Sequence, residues 1–143
     1  MKCFKHLLPV LFLVISIQVG SAQEMKAEKY DNPQWVRISY IKFSPMKKDP
    51  AMEIINNYFA KADEDAGIAA PTTYHFPFGE YDMMVIWEIR DGIEELNYKM
   101  TPEDAEWMKS MAKIAGGQDK AMAKFEEFTS YIEDWKNTIA RKE

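Results

Sequence analysis

The sequence predicts one α+β domain with the element order strand, helix, strand, strand, helix, helix, behind a short export leader. Three observations predict it. The N-terminus has an apolar run behind two lysines, the apolar period changes between two and three-to-four along residues 35–89, and two helix starts are strongly marked. The chain has 143 residues, which is the size of a single domain.

The first residues predict a secretory signal peptide over residues 1–22. Two lysines precede the apolar run LLPVLFLVISIQV, and the small residues of GSA follow it. The run is shorter than the roughly 20 residues that span a bilayer. The alternative interpretation is an uncleaved amphipathic or membrane anchor. We expect an exported protein, periplasmic or extracellular.

Cleavage of the leader changes which chemistry the chain can perform. It would remove Cys3, the only cysteine, and with it any disulfide, thiol nucleophile or thiolate metal site. It would also remove both leader lysines, so the formal charge of −5 would become −7. A negative protein without a basic stripe is a poor partner for nucleic acid or for an anionic membrane. We therefore expect neither partner for the mature chain.

The mature chain opens with an arm, a strand and a helix. Residues 23–32 are polar and predict a flexible N-terminal arm ahead of a single domain over residues 33–143. The stretch WVRISYIKF, residues 35–43, predicts the first strand. Asp49 as N-cap and Pro50 as first helical residue then predict a helix.

The middle of the chain predicts a β-hairpin. Strands are expected over residues 72–78 and 81–89, joined at Gly79 and Glu80. In the second of these strands every other residue is apolar, so that face is predicted to lie under the helices.

The last third predicts two helices. Thr101 followed by a proline and acidic residues marks the start of the first, which Gly116 ends. The second is predicted over residues 118–141, because its apolar residues are spaced by three and four. A fourth strand within residues 128–135 is the alternative that the sequence leaves open.

Each strand has a second, mixed face. On the apolar faces, the residues predicted to meet the helices are Val36, Ile38, Tyr40, Tyr74, Phe76, Phe78, Tyr81, Met83, Val85, Trp87 and Ile89. The opposite faces carry Arg37, Ser39, Ile41, Thr73, His75, Asp82, Met84, Ile86 and Glu88. Monomers rarely expose apolar groups of this kind together. The mixed faces of two copies are therefore predicted to pack together in a homodimer.

The tetrapeptide GEYD, residues 79–82, resembles the Gly-x-Tyr-Asp signature of GYD-domain proteins. The element order resembles the ferredoxin-like half of the dimeric α/β-barrel superfamily, including its antibiotic-biosynthesis-monooxygenase-like proteins. The resemblance covers roughly residues 35–116 and departs from the family where a final strand is usual. It implies a ferredoxin-like sheet with helices on one face, a dimeric α/β barrel and an internal cavity, here with an extra C-terminal helix.

The polar residues of the mixed face form the candidate site. His75 is the candidate general base and Arg37 the candidate holder of an anionic substrate. The candidate ligand-binding residues are Ser39, Asp82, Met84, Ile86 and Glu88. The alternative is that these polar groups only form ion pairs inside a dimer interface.

The function hypothesis is an exported homodimer that binds a small apolar or aromatic ligand in its sheet cavity. The alternative is a cofactor-independent monooxygenase or related enzyme with His75 as base. A haem protein with His75 as axial ligand ranks third. No cofactor and no metal are expected, since the ten methionines suit core packing better than a Cu(I) site.

Overall fold

The computed structural model describes residues 25–143 of the chain. The predicted signal peptide lies outside the described residues. The elements in chain order are β1 (Gln34–Phe43), α1 (Lys48–Ile54), a π-helical turn (Ile55–Phe59), α2 (Ala60–Ala66), β2 (Thr72–His75), β3 (Met83–Ile89), a 3-10 turn (Gly92–Asn97), α3 (Pro102–Ala115), α4 (Gln118–Ser130) and β4 (Ile132–Lys142).

The four strands form one antiparallel sheet in the order β2-β3-β1-β4. In the register of the two central strands, Ile41 lies opposite Met83 and Ile38 opposite Ile86. Strand β4 runs along the whole of β1, with Asn137 opposite Ser39. This confirms the predicted α+β class and ferredoxin-like sheet. The strands β3 and β1 are central, β2 and β4 lie outside them, and helices connect β1 to β2 and β3 to β4.

The main core lies between one face of the sheet and the helices. Ile41, Phe43, Met83 and Val85 of the sheet are buried there against Ala51 and Ile54 of α1 and Phe128 of α4. A second cluster joins the helices themselves, with Ala62 of α2, Met111 of α3 and Ala121 of α4 at its centre. Helix α3 is thereby held by other helices, and α1 and α4 cover the sheet.

The ends of the helices follow local chemistry. Thr101 accepts a hydrogen bond from the backbone N–H of Asp104, whose side chain in turn accepts from the backbone N–H of Thr101, so the predicted capping box is present. Gly67 ends α2 with φ of 68°, in the left-handed region that glycine adopts at low cost. Helix α1 begins earlier than predicted, with Lys47 as N-cap, and Asp49 and Pro50 lie within its first turn.

The predicted helix over residues 118–141 is wrong in its second half. Helix α4 ends at Ser130, and after Tyr131 the chain turns into β4. The spacing of Trp135 and Ile139 fits a helix locally. However, β1 is a central strand whose second edge needs hydrogen-bond partners along ten residues, and only a strand can supply them.

The predicted faces are correct for β3 and wrong for β1 and β2. Met83, Val85 and Ile89 are buried towards the helices as expected. On β1 the buried residues are Ser39, Ile41 and Phe43, and Val36, Ile38 and Tyr40 lie on the opposite side. Both faces of β1 carry large apolar residues, so alternation alone leaves its phase undetermined.

Strand β2 is shorter than predicted and ends at His75. Its register puts Tyr74 opposite Met84, on the side away from the helices, and His75 opposite Met83. Residues 76–82 form a loop instead of strand. Phe76 and Phe78 therefore belong to this loop, and Phe78 is 90% exposed.

Candidate functional site

One side of the sheet carries no helix from residues 25–143. We define the open face as its apolar residues Val36, Ile38, Tyr40, Tyr74, Met84, Ile86 and Ala140, which the strand registers place on a common side. All of them are partly or largely exposed in the single chain. An uncovered apolar face that spans all four strands is typical of a surface that packs against another molecule.

Polar groups border the open face near the β2–β3 loop. The Tyr81 ring lies 5.5 Å from the Tyr40 ring, and its hydroxyl donates to Asp134 Oδ2 at 3.0 Å. This hydrogen bond to a carboxylate raises the pKa of Tyr81, so the hydroxyl stays protonated at neutral pH. Lys42 and Glu133 form an ion pair of 2.5 Å beside it. The border therefore offers one phenol and charges of both signs to a ligand.

Three of the predicted ligand-binding residues lie on the same side of β3. Met84 and Ile86 belong to the open face and are half-buried, and Glu88 follows them as an exposed carboxylate. The alternation of β3 was sufficient to group these three, since a strand places every second residue on one side.

Asp82 has a different position, at the end of the β2–β3 loop directly before β3. Its Oδ2 accepts the backbone N–H of Phe43 at 2.8 Å. Its own backbone N–H donates to the Ile41 carbonyl at 3.0 Å, and its carbonyl accepts from the N–H of Phe76 at 2.9 Å. Asp82 thus holds the loop against β1, and its carboxylate has a structural hydrogen bond instead of a free position for a ligand.

Arg37 and Ser39 lie on the helix side of β1. The Arg37 guanidinium stands over the Trp87 ring at 5.3 Å, a cation–π contact. Ser39 is only 1% exposed, and its hydroxyl donates to Asn137 Oδ1. Asn137 also accepts from the indole N–H of Trp135 at 3.1 Å. Ser39 is therefore a hydrogen-bonded core residue.

His75 is exposed on β2 and stands level with Met83 and Ile41 across the sheet. Arg37 is four residues further along β1, which places its Cα roughly 16 Å from that of His75 by strand geometry. The structure therefore does not bring His75, the candidate base, close to Arg37, the candidate anion holder. It also places His75 and Glu88 on opposite faces of the sheet. The catalytic role of this pair stays a prediction.

Two residues of this region gave no usable signal in the sequence. Tyr81 was placed in a strand under the helices, whereas it borders the open face and bonds to β4. Asn137 was placed in a helix, whereas it satisfies the buried Ser39. Both roles depend on β4, so the sequence could have indicated them only after that strand was recognised.

Two kinds of site are absent from residues 25–143. No three His, Cys, Asp or Glu side chains of this part of the chain are grouped so that they could hold a metal ion. Among the same residues, no helix has the length and apolar character needed to cross a membrane.

Solved structures of NIPSNAP-family proteins share this fold. One from Agrobacterium tumefaciens strain C58, described as of unknown function, superposes with a TM-score of 0.51 at 10% identity, over 79% of this chain and 91% of its own. Another from the same bacterium gives 0.48 at 14% identity, over 75% and 90%. A NIPSNAP domain protein from Burkholderia xenovorans gives 0.46 at 11% identity, over 74% and 91%.

At these identities the likeness concerns the fold, and the first of the three superpositions supports a ferredoxin-like α/β architecture. No protein-family model matches the chain, and no curated protein matches it.

Proposed function

We propose that the chain is a homodimer that encloses a small, mostly apolar ligand between the open faces of two sheets. The observation that carries the proposal is the open face itself, an apolar surface across four strands that no helix of the described residues covers. A two-fold axis brings such a face against its own copy and is the commonest symmetry of protein dimers. Burial of Met84 and Ile86 would contribute roughly 1.5–3 kcal/mol for each side chain.

The border of the open face supports a ligand of mixed character. Apolar side chains would line most of the cavity, the Tyr81 hydroxyl would orient a polar end of the ligand, and the Glu88 carboxylate lies at the opposite end of the open face. An aromatic ring with a hydroxyl or an amine fits this lining. The narrower resemblance to GYD-domain proteins belongs to the same proposal, since it implies the same dimeric barrel.

Export forms the last part of the proposal. It rests on the two lysines, the apolar run and the small residues of positions 1–22. An exported protein without cysteine must be held by its core, and both apolar clusters of the described chain supply one.

The variant Ile86→Asp tests the dimer, because it places a charge in the middle of the open face. We expect this variant to have half the assembly mass of the unmutated chain by light scattering, or to aggregate. Met122→Asp is the matched control: it changes an exposed apolar residue of α4, away from the sheet, and should leave the mass unchanged. A monomeric unmutated chain at micromolar concentration would contradict the proposal.

Native mass spectrometry of protein purified without denaturation tests the ligand. We expect a bound small molecule on the assembly and none on Ile86→Asp. If the assembly has only the mass of its chains, and a crystal structure shows an interface packed without a cavity, the proposed ligand site would be refuted. The proposed dimer would not be affected by that result.

A further inference from the structure

The two edges of the sheet differ greatly in length. Strand β2 at one edge has four residues, whereas β4 at the other has eleven, Ile132–Lys142. Proteins usually shield edge strands by proline, by charged side chains, by bulges or by making them short. Strand β4 carries charges of both signs, among them Asp134, Lys136 and Lys142, so its charges limit which strand can pair with it. Strand β4 has no proline, and its one irregularity lies at its start, opposite Lys42 and Phe43.

Backbone groups of alternate β4 residues point away from β1. On β1, the carbonyl of Ile41 and the N–H of Phe43 bond on the β3 side, to Asp82. The even-numbered residues of β1 therefore bond to β4, because successive residues of a strand bond to opposite sides. Their partners, Lys136, Thr138 and Ala140, are even-numbered too.

The odd-numbered residues of β4 thus direct their N–H and C=O groups outward. These are Trp135, Asn137, Ile139 and Arg141. Within residues 25–143 these outward groups have no backbone partner. The side chains of Trp135 and Ile139 are also 38% and 36% exposed on the helix side. Both the backbone and the apolar side chains of β4 are therefore available to a further strand.

We propose that β4 pairs antiparallel with β4 of a second copy, so that two sheets join into one continuous eight-stranded sheet. The charges of β4 favour one register, in which Thr138 lies opposite Thr138 of the second copy. That register sets Asp134 against the second copy's Lys142, and Trp135 against its Arg141. Opposite charges across a strand pair stabilise it. In the single chain the Arg141 guanidinium lies over the Tyr30 ring, so it would exchange that ring for the indole of the second copy.

Other registers that keep the helix sides together are less favourable. Sliding the pair by two residues one way sets Lys136 against Lys142, and sliding it by four the other way sets Lys136 against itself. Like charges directly opposite destabilise a strand pair. The intermediate register centred on Asn137 gives Asp134 only an alanine as partner. It also sets Glu133 opposite Arg141, but Glu133 lies in the irregular start of β4 and is already paired with Lys42. The register centred on Thr138 is the one that satisfies both ends of the strand.

This contact uses a different surface from the open face, and it does not depend on the proposed ligand function. A chain that makes both contacts forms a tetramer, and a chain that makes one forms a dimer. Two variants distinguish the open-face contact from the β4 contact. Ile86→Asp affects only the open face, and Ile139→Pro affects only the β4 edge.

Single cysteines test the register directly. In a chain with Cys3→Ser, we expect Thr138→Cys to form a disulfide-linked dimer under mild oxidation, since facing residues of this kind have Cα atoms about 4.5 Å apart. The matched control is Lys136→Cys, an exposed position on the same side two residues away. Its two copies would lie roughly 13 Å apart in this register, so it should remain uncrosslinked.

Ile139→Pro removes one outward N–H and keeps the bonds to β1, so its chain should fold and lose half of the assembly mass. Ile139→Thr keeps the N–H and should retain the mass. The Thr138→Cys link should persist in combination with Ile86→Asp, which excludes the open face as its source. Equal crosslinking of Lys136→Cys and Thr138→Cys, or no mass change in Ile139→Pro, would overturn the proposal.

Discussion

At the residue scale, two carboxylates of α2 behave in opposite ways. Burial raises the pKa of Asp63, with a smaller contribution from Glu103, although Asp63 accepts the indole N–H of Trp107 at 2.8 Å. The pKa of Asp65 is lowered, because Asp65 accepts hydrogen bonds from Lys113 and Ser110. The fold thus favours the neutral form of one carboxyl and the charged form of the other.

We predict that Asp63→Asn raises the free energy of unfolding at pH 7. An acid whose pKa is higher in the folded state than in the unfolded state makes the protein less stable as the pH rises through that interval. The amide removes the half-buried charge and keeps an acceptor for Trp107. Urea denaturation should show the gain at pH 7 and its loss near about pH 3, where free aspartic acid is mostly protonated.

Asp65→Asn is the matched control for that prediction. Asp65 has a lowered pKa, so its contribution to stability is present at neutral pH and is lost as the pH falls. Its amide variant should therefore be less stable than the unmutated chain at pH 7, opposite to Asp63→Asn. Equal effects of the two substitutions would contradict the assigned burial of Asp63.

At the element scale, local signals predicted both ends of α3, whereas pairing between distant strands decided the phase of β1 and the end of α4. The Thr101 capping box and the stop at Gly116 are local chemistry, so the sequence predicted them correctly. The phase of β1 and the existence of β4 depend on pairing between strands about a hundred residues apart. No local pattern encodes this, because β4 is exposed on both sides and so lacks a clean alternation.

The same limit applies to the candidate site. The grouping of Met84, Ile86 and Glu88 follows from alternation within one strand and was predictable. The separation of His75 from Arg37 follows from the register of three strands, which sets His75 level with Ile41 and leaves Arg37 four residues further along the same side. Sites assembled within an element were therefore predicted better than sites assembled between elements.

The loop between β2 and β3 provides the element-scale prediction. Asp82→Ala removes the acceptor of the Phe43 N–H, and Phe43 is a core residue 5% exposed. An unsatisfied buried N–H costs about 1–3 kcal/mol, so we expect a loss of that size in urea denaturation. Asp82→Asn retains an oxygen acceptor and should lose less. Glu80→Ala in the same loop should change stability by under about 0.5 kcal/mol.

At the scale of the whole molecule, we predict export with removal of the leader. Expressed from its own start in a Gram-negative host, the chain should be recovered outside the cytoplasm, with Gln23 as the first residue in N-terminal sequencing. The reason is the order of basic, apolar and small residues in positions 1–22. Replacing the small residue Ala22 by Arg should block the cleavage. An intact N-terminus in the membrane fraction would instead indicate an uncleaved anchor.

The unequal edges of the sheet also determine how far growth by strand addition can proceed. Fibrils lengthen when each added chain exposes a new edge like the one it covered. Here the far edge is β2, four residues long and followed by a loop bent back onto β1 by Asp82. When a second copy pairs with β4, the joined sheet therefore has the short β2 strand of each copy at its two edges. The short β2 therefore limits strand addition to two copies, even though the β4 edge can pair with another strand.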